Sequence, residues 1–235
     1  MFRALSPHKH CASSYYFHSN MNPPKPLTIL TGASRGMGLA MARTVKQVAL
    51  ERKSVGGSIV HIRRTKESPW AMVPDSPYNR RLDAFTPIPF AGGVKVLGKK
   101  SAIGTFGNCA GGVTPWGTVL TCEENYANFV GEAEYKNGKR EIQTVDGYLS
   151  WEKAVHLPPE HYGWVVEVEL QTGKAKKLTA LGRFAHECAT CIVASDGRTV
   201  VYSGDDCEDE HLYKFISSRP GSLEQGELFA ADTEN

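Results

Sequence analysis

From Gly56 onward, apolar residues fall in short runs punctuated by Gly, Pro, Asn and Asp, the pattern of β-strands separated by turns. The runs are GGSIVHIRR, WAMV, AIGTF, GTVLTC, GWVVEVEL, KAKKLTAL, ATCIVA, RTVVYSG, HLYKFIS and GELFAAD. Tight polar turns join several of them, as in VELQTGKAKKL and VASDGRTVVYSG, and Asn137-Gly138 within YKNGK is a strong two-residue hairpin signal. Strands this closely spaced predict an all-β sandwich or propeller. At about 45 residues per blade, the body from Gly56 to Asn235 supplies at most four blades, and no WD or kelch signature recurs.

Ahead of Ser54 the pattern is different. A short apolar strand, Leu27 to Leu30, leads into TGASRGMG (Thr31 to Gly38) and then the helix-like run LAMARTVKQVALERK. The chain thus divides into a disordered tail over residues 1–20, a short βα segment over 21–54 and a β-rich body over 55–235. Charge marks the same boundary: residues 1–54 hold eight basic residues against Glu51 alone, a net +7, and the rest hold 19 basic and 24 acidic residues, a net −5. The total of +2 is too small to predict a nucleic-acid partner. No apolar run approaches the about 20 residues of a membrane-spanning helix, so no integral membrane segment is predicted. Six cysteines at uneven spacing predict no disulfide framework. The first twenty residues lack the apolar core of a secretory signal and a twin-arginine pair, and Met21 is an alternative start.

In TGASRGMG, the glycines Gly32, Gly36 and Gly38 follow a strand and open a helix, the order in which a backbone turns tightly enough to cradle a pyrophosphate. This stretch resembles the cofactor loop of the short-chain dehydrogenase/reductase family over about 25 residues. The resemblance implies a Tyr-x-x-x-Lys pair on a helix. Tyr135 and Lys139 have that spacing, but Asn137-Gly138 between them predicts a β-turn, and no alternation of strands and helices follows to complete a dinucleotide crevice. The segment reads as an orphan βα unit, with an NAD(P)-dependent reductase as the alternative function.

Three longer stretches carry the chemistry of the body: GNCAGGVTPWGTVLTCEEN (Gly107 to Asn125), YGWVVEVELQTGKAKKLTALGRFAHE (Tyr162 to Glu187) and VYSGDDCEDEHLYKF (Val201 to Phe215). With GGSIVHIRR and DSPYNRRLDAFTP upstream, they resemble the PhoX-type alkaline phosphatases from about Gly56 to the end. The resemblance implies a partial β-propeller that hydrolyses phosphate monoesters with iron and calcium, in a family usually exported and built from much longer chains. A truncated or fused version is therefore expected, with a non-catalytic β-rich fragment as a further alternative.

The residue types agree with mixed metals. Cys122 beside Glu123 and Glu124 sets a soft thiolate next to hard carboxylates, and by resemblance Cys122 is an iron ligand. Glu187 of FAHE, and Asp205 and Asp206 of GDD, are further metal-ligand candidates, with His186 behind Glu187 and the acids of 208–210 left to solvent. Asn108 and Arg183 lie in the same stretches and are candidates to hydrogen-bond phosphate oxygens. Cys188 and Cys191 form a lone CxxC on an apolar strand, where burial is the expected state. The expected substrate is a small phosphate ester.

Overall fold

The computed structural model describes residues 2–3, 45–64, 66, 69–144 and 149–231. Cys11, Met21, the strand Leu27 to Leu30 and the TGASRGMG loop lie outside the described residues. Strand β1 (Phe2–Arg3) comes first, then helix α1 (Val45–Ser54) and a series of short strands: β2 (Gly57–Ile59), β3 (Ile62–Arg63), β4 (Ala71–Met72), β5 (Arg80–Leu82), β6 (Pro87–Pro89) and β7 (Ser101–Ile103). Longer strands follow as β8 (Asn108–Val113), β9 (Val119–Glu123), β10 (Glu132–Lys136), β11 (Lys139–Gln143), β12 (Val165–Val168) and β13 (Ala175–Lys177). The last four are β14 (Thr190–Val193), β15 (Thr199–Gly204), β16 (Leu212–Ser217) and β17 (Gly226–Ala231).

Two four-stranded antiparallel meanders dominate, β8-β9-β12-β13 and β14-β15-β16-β17, with β1 added along the outer edge of β17. Such a meander is the unit of a propeller blade. The first carries an insertion between its second and third strands that holds a helical turn, α2 (Ala127–Val130), and the β10–β11 hairpin. The first strands of the two meanders, β8 and β14, touch. The chain is mostly β, a partial propeller, as its turn-punctuated runs predict. Strand β8 is missing from the predicted runs because the Gly-Gly within it reads as a breaker.

Strand alternation distributes the core between layers. In β12, Val165 enters a cluster with Leu120, Cys122, Val201 and Phe215 that lies between the two meanders. Val166 and Val168 point the other way, onto Ile59, Leu82 and Ile88 of the small β2–β5 and β6–β7 ladders. The first meander is therefore covered on both faces. A third cluster joins Phe106, Phe129, Trp151 and Tyr162 to Val48 of α1. Phe106 and Trp151 meet edge-on with centroids 5.0 Å apart, a favoured aromatic geometry. The Arg52 guanidinium donates to the Ala84 carbonyl at 2.7 Å, and Trp151 Nε1 donates to Glu51 at 2.9 Å. The described part of the 21–54 segment thus shares a core with the β body.

The Asn137-Gly138 turn closes β10 onto β11 with Lys136 opposite Lys139, at φ of 50° and 75°. Tyr135 and Lys139 consequently stand on two strands of a hairpin and not on one helix, and the Tyr135 hydroxyl donates to Glu160 at 2.8 Å.

Two constraints hold the first meander in place. The backbone of β8 passes so close to its neighbours that a Cβ on Gly111 would lie 1.8 Å from the Leu120 carbonyl oxygen, and one on Gly112 would lie 2.0 Å from that of Ala189, beside β14. The second is a fully buried ion pair: Lys177 Nζ lies 2.6 Å from Glu123 Oε1, donates also to the His161 carbonyl at 2.9 Å, and sits 4.3 Å from the Tyr162 ring centroid. Burial pushes the Glu123 carboxyl up and the Lys177 ammonium down, while each partner's charge pulls the other back.

Lys177→Met should destabilise the fold by about 3–5 kcal/mol, since it leaves Glu123 buried without its counter-charge. The double variant with Glu123→Gln should recover much of that loss in urea unfolding. Gly112→Ala should cost about 1–3 kcal/mol through the backbone clash alone, against a near-zero effect for an alanine at Gly204, where a Cβ meets nothing within 4 Å and the backbone is not left-handed.

Candidate metal centre

The carboxylates of Glu124, Glu187 and Asp206 converge so that one oxygen of each lies within 4.8 Å of the others. They come from both meanders. Glu124 follows the end of β9, where its backbone N–H donates to the Gly107 carbonyl at 3.0 Å. Glu187 and Asp206 are brought together by a cross-strand bridge of His186 with Asp205, flanked by Glu187 N–H to the Gly204 carbonyl at 3.3 Å and Asp206 N–H to the Ala185 carbonyl at 3.1 Å. The close approach at Gly112 sets the two halves at this distance.

Three like charges so close disfavour one another. Burial, the hydrogen bond with Asp206 and the charges of Asp206 and Glu187 push the Glu124 carboxyl up to about 8, although the Cys109 thiol and Asn125 Nδ2, at 2.7 Å, both donate to it. A divalent cation would relieve that repulsion. Three carboxylates offering oxygen ligands suit a hard ion such as calcium.

Strand periodicity separates the other residues. On β9, Cys122 enters the core between the meanders and Glu123 takes the opposite face, where Lys177 and the Trp164 N–H occupy its oxygens at 2.6 and 3.2 Å. Glu123 is thus outside the carboxylate cluster, and Cys122 lies just beneath it. The Cys122 thiol is pushed well up by burial, then by Cys188, Cys109, Glu123 and Glu124. Arg183 is engaged by its own surroundings: Nε donates to the Tyr162 carbonyl at 2.8 Å, and Nη2 meets both Glu132 oxygens, at 2.8 and 3.0 Å. Asn108 donates its amide to the Thr105 and Thr121 hydroxyls at 2.8 and 3.3 Å, which leaves its Oδ1 buried and without a hydrogen-bond partner. Asp205 stays outside the cluster, with a buried Oδ1 that also has no hydrogen-bond partner and a carboxyl pushed up to about 6 by burial. His186 is fully buried, with Nδ1 2.8 Å from the Ser203 hydroxyl and Nε2 donating to the Gly182 carbonyl at 3.0 Å.

The family model described as "Alkaline phosphatase PhoX" matches residues 31–232. The chain belongs to the PhoX family. A solved PhoX from Pseudomonas fluorescens, in complex with vanadate, a transition state analogue, is similar to it with a TM-score of 0.67 and 30% sequence identity. That match covers 81% of this chain and 39% of the Pseudomonas protein, so the chain spans well under half the length of this relative. No curated protein sequence matches it. The PhoX match begins at residue 31 and so takes in TGASRGMG.

In this PhoX chain the structure adds Cys109 to the residues singled out from the sequence. Cys109 and Ala110 together oppose Cys122 in a β-bulge, because the register of β8 on β9 shifts between Asn108 and Gly111. Bulges re-aim side chains next to active sites. Partial burial, then the Glu124 and Glu187 charges, push the Cys109 thiol up to about 12. The glycine pair after it was the available signal, since glycine inside a strand marks a bulge or a close backbone approach. Cys188 and Cys191 are half-buried free thiols. A separate cleft of about 790 Å³, lined by Trp116, Glu167 and Lys176 among others, opens by the β8–β9 and β12–β13 turns, at the other end of the first meander from Glu124.

Glu124 must lose its proton to bind a cation, so calcium affinity should rise with pH by up to about tenfold per unit below pH 8 and level off above it. Calorimetric titration at several pH values checks this. In Glu124→Gln the slope should vanish and the affinity fall.

Proposed function

We propose that this chain carries a calcium- and iron-dependent active site for hydrolysis of phosphate monoesters. The observation that carries the reading is the convergence of Glu124, Glu187 and Asp206, one from each of the TCEE, FAHE and GDD stretches, at a single point between two meanders. Vanadate bound to the Pseudomonas PhoX supports phosphoryl chemistry in this family, because vanadate takes up the five-coordinate geometry of phosphoryl transfer.

The donor set fits the proposed metals. The three carboxylates would hold calcium. Cys122 supplies the thiol suited to iron, with Cys109 as a second sulfur beside the same carboxylates. When bound, the cations polarise the phosphoryl oxygens and neutralise charge that develops in the transition state.

The chain's own residues then position and shield. Asn108 acts through its carbonyl oxygen, because its amide hydrogens are already committed to Thr105 and Thr121. Arg183 is a scaffold residue in this reading: it ties Tyr162, Pro159 and Glu132 together behind the site. The Lys177–Glu123 pair fixes the end of β9, from which Glu124 projects. Without cations, the clustered carboxylates repel a phosphate dianion.

Hydrolysis of p-nitrophenyl phosphate by the purified chain, loaded with calcium and iron, tests the proposal. Turnover should disappear on chelation and return with both metals, and Glu187→Gln or Asp206→Asn should lower it at least about a hundredfold. Cys122→Ser should lose iron by elemental analysis while keeping calcium. Metal-loaded protein with no turnover on any phosphate monoester would sink the assignment.

A further inference from the structure

Between β6 and β7 the chain makes a small hairpin with unusual residues at its tip. Val96 and Lys99 exchange backbone hydrogen bonds, both at 3.0 Å, around Leu97 and Gly98. Those two residues have φ of 47° and 76°, the signature of a type I′ turn. The Asn137-Gly138 turn elsewhere in this protein has nearly the same angles and the residues that suit them. Leucine at the first central position is strained, because its Cβ crowds the following carbonyl oxygen.

No packing explains that choice. Leu97 is 50% exposed and Val94 41% exposed, although both are apolar. Lys95, Lys99 and Lys100 surround them, all exposed, and none of the three makes an ion pair among the described residues. No acidic residue occurs in the sequence between Asp83 and Glu123. The acids that approach this region, Glu160 and Glu224, are already paired with Arg140 at 2.5 Å and Lys176 at 2.7 Å. A strained apolar tip within a collar of uncompensated lysines remains.

We infer that this hairpin docks the protein on an anionic lipid surface. Leu97 and Val94 enter the boundary between headgroups and acyl chains, and the lysines lay their stems along it with their ammonium groups among the phosphates. Lipid suits the tip better than a protein partner, because a bilayer accepts an apolar knob of any shape. The hairpin leaves its ladder at the end of the first meander that holds Glu123 and Lys177: Phe90 bridges to Lys177, and His161 Nε2 donates to the Val96 carbonyl at 3.2 Å. Docking therefore turns the end bearing Glu124 toward the surface.

Co-sedimentation of the full chain with vesicles tests this independently of any enzymatic activity. Phosphatidylcholine vesicles containing phosphatidylglycerol should bind it at low salt, and pure phosphatidylcholine vesicles should not. Replacing Lys95, Lys99 and Lys100 with Gln should weaken binding by about fivefold for each lysine removed. Leu97→Asn suits the turn, so it should hold or raise Tm while lowering vesicle binding several-fold. Equal binding by the parent and both variants, no binding by the parent, or a lower Tm for Leu97→Asn would each overturn the inference. Binding to polyglutamate without binding to vesicles would reassign the hairpin to an acidic protein and overturn the lipid assignment.

Discussion

The arrangement rests on a place where side chains are missing. Along β8, Gly111 and Gly112 bring the strand's backbone against β9 on one side and against Ala189 of the second meander on the other, closer than any residue with a Cβ allows. Two consequences follow from this one approach. The meanders close over a shared core of Leu120, Cys122, Val201 and Phe215, and Glu124 comes within reach of Glu187 and Asp206. Core and candidate site are thus set by the same contact, so the site's geometry inherits the rigidity of the packing around it.

Charge is handled in two opposite ways within a short distance. Behind the site two buried ion pairs match charge with counter-charge: Lys177 lies on Glu123, and Arg183 lies on Glu132, which also accepts from the Tyr126 hydroxyl at 2.6 Å. These pairs satisfy the desolvated groups but contribute little net stability, and their larger effect is to make the wrong arrangement costly. At the site itself three carboxylates are collected, and burial, then the hydrogen bond with Asp206 and the charges of Asp206 and Glu187, raise the Glu124 carboxyl. The contrast between those matched pairs and three clustered carboxylates is what makes this point suited to a cation.

The insertion in the first meander serves the same end. Its β10–β11 hairpin is pinned by Arg140 and Tyr135 to Glu160, held well down from the usual carboxylate range, to about 2, because Arg140 and Tyr135 outweigh its burial. Glu132 at the root of that hairpin receives Arg183, which reaches back to Tyr162 and Pro159. The excursion between β9 and β12 is thereby tied to the strand ends that carry Glu123 and Glu124.

Much of this was legible in the amino-acid sequence because it depends on neighbours along the chain. Strand runs bounded by turns, the Asn137-Gly138 hairpin and the helix ending in Arg52 and Lys53 follow from local backbone preference and alternation. The TCEE, FAHE and GDD stretches stood out through the family resemblance, and one carboxylate from each converges in the structure. Local pattern could not say which of two adjacent glutamates faces the site, because a shift of one residue in register exchanges the faces of a strand; only the pairing of β9 with β8 and β12 sends Glu123 to Lys177 and leaves Glu124 for the cluster. Nor could it show that Arg183 is taken by a glutamate 51 residues away, or that a bulge turns Cys109 toward Glu124. Those outcomes belong to the tertiary structure, since they depend on contacts between segments far apart in sequence, whose distances are set only when the two meanders pack.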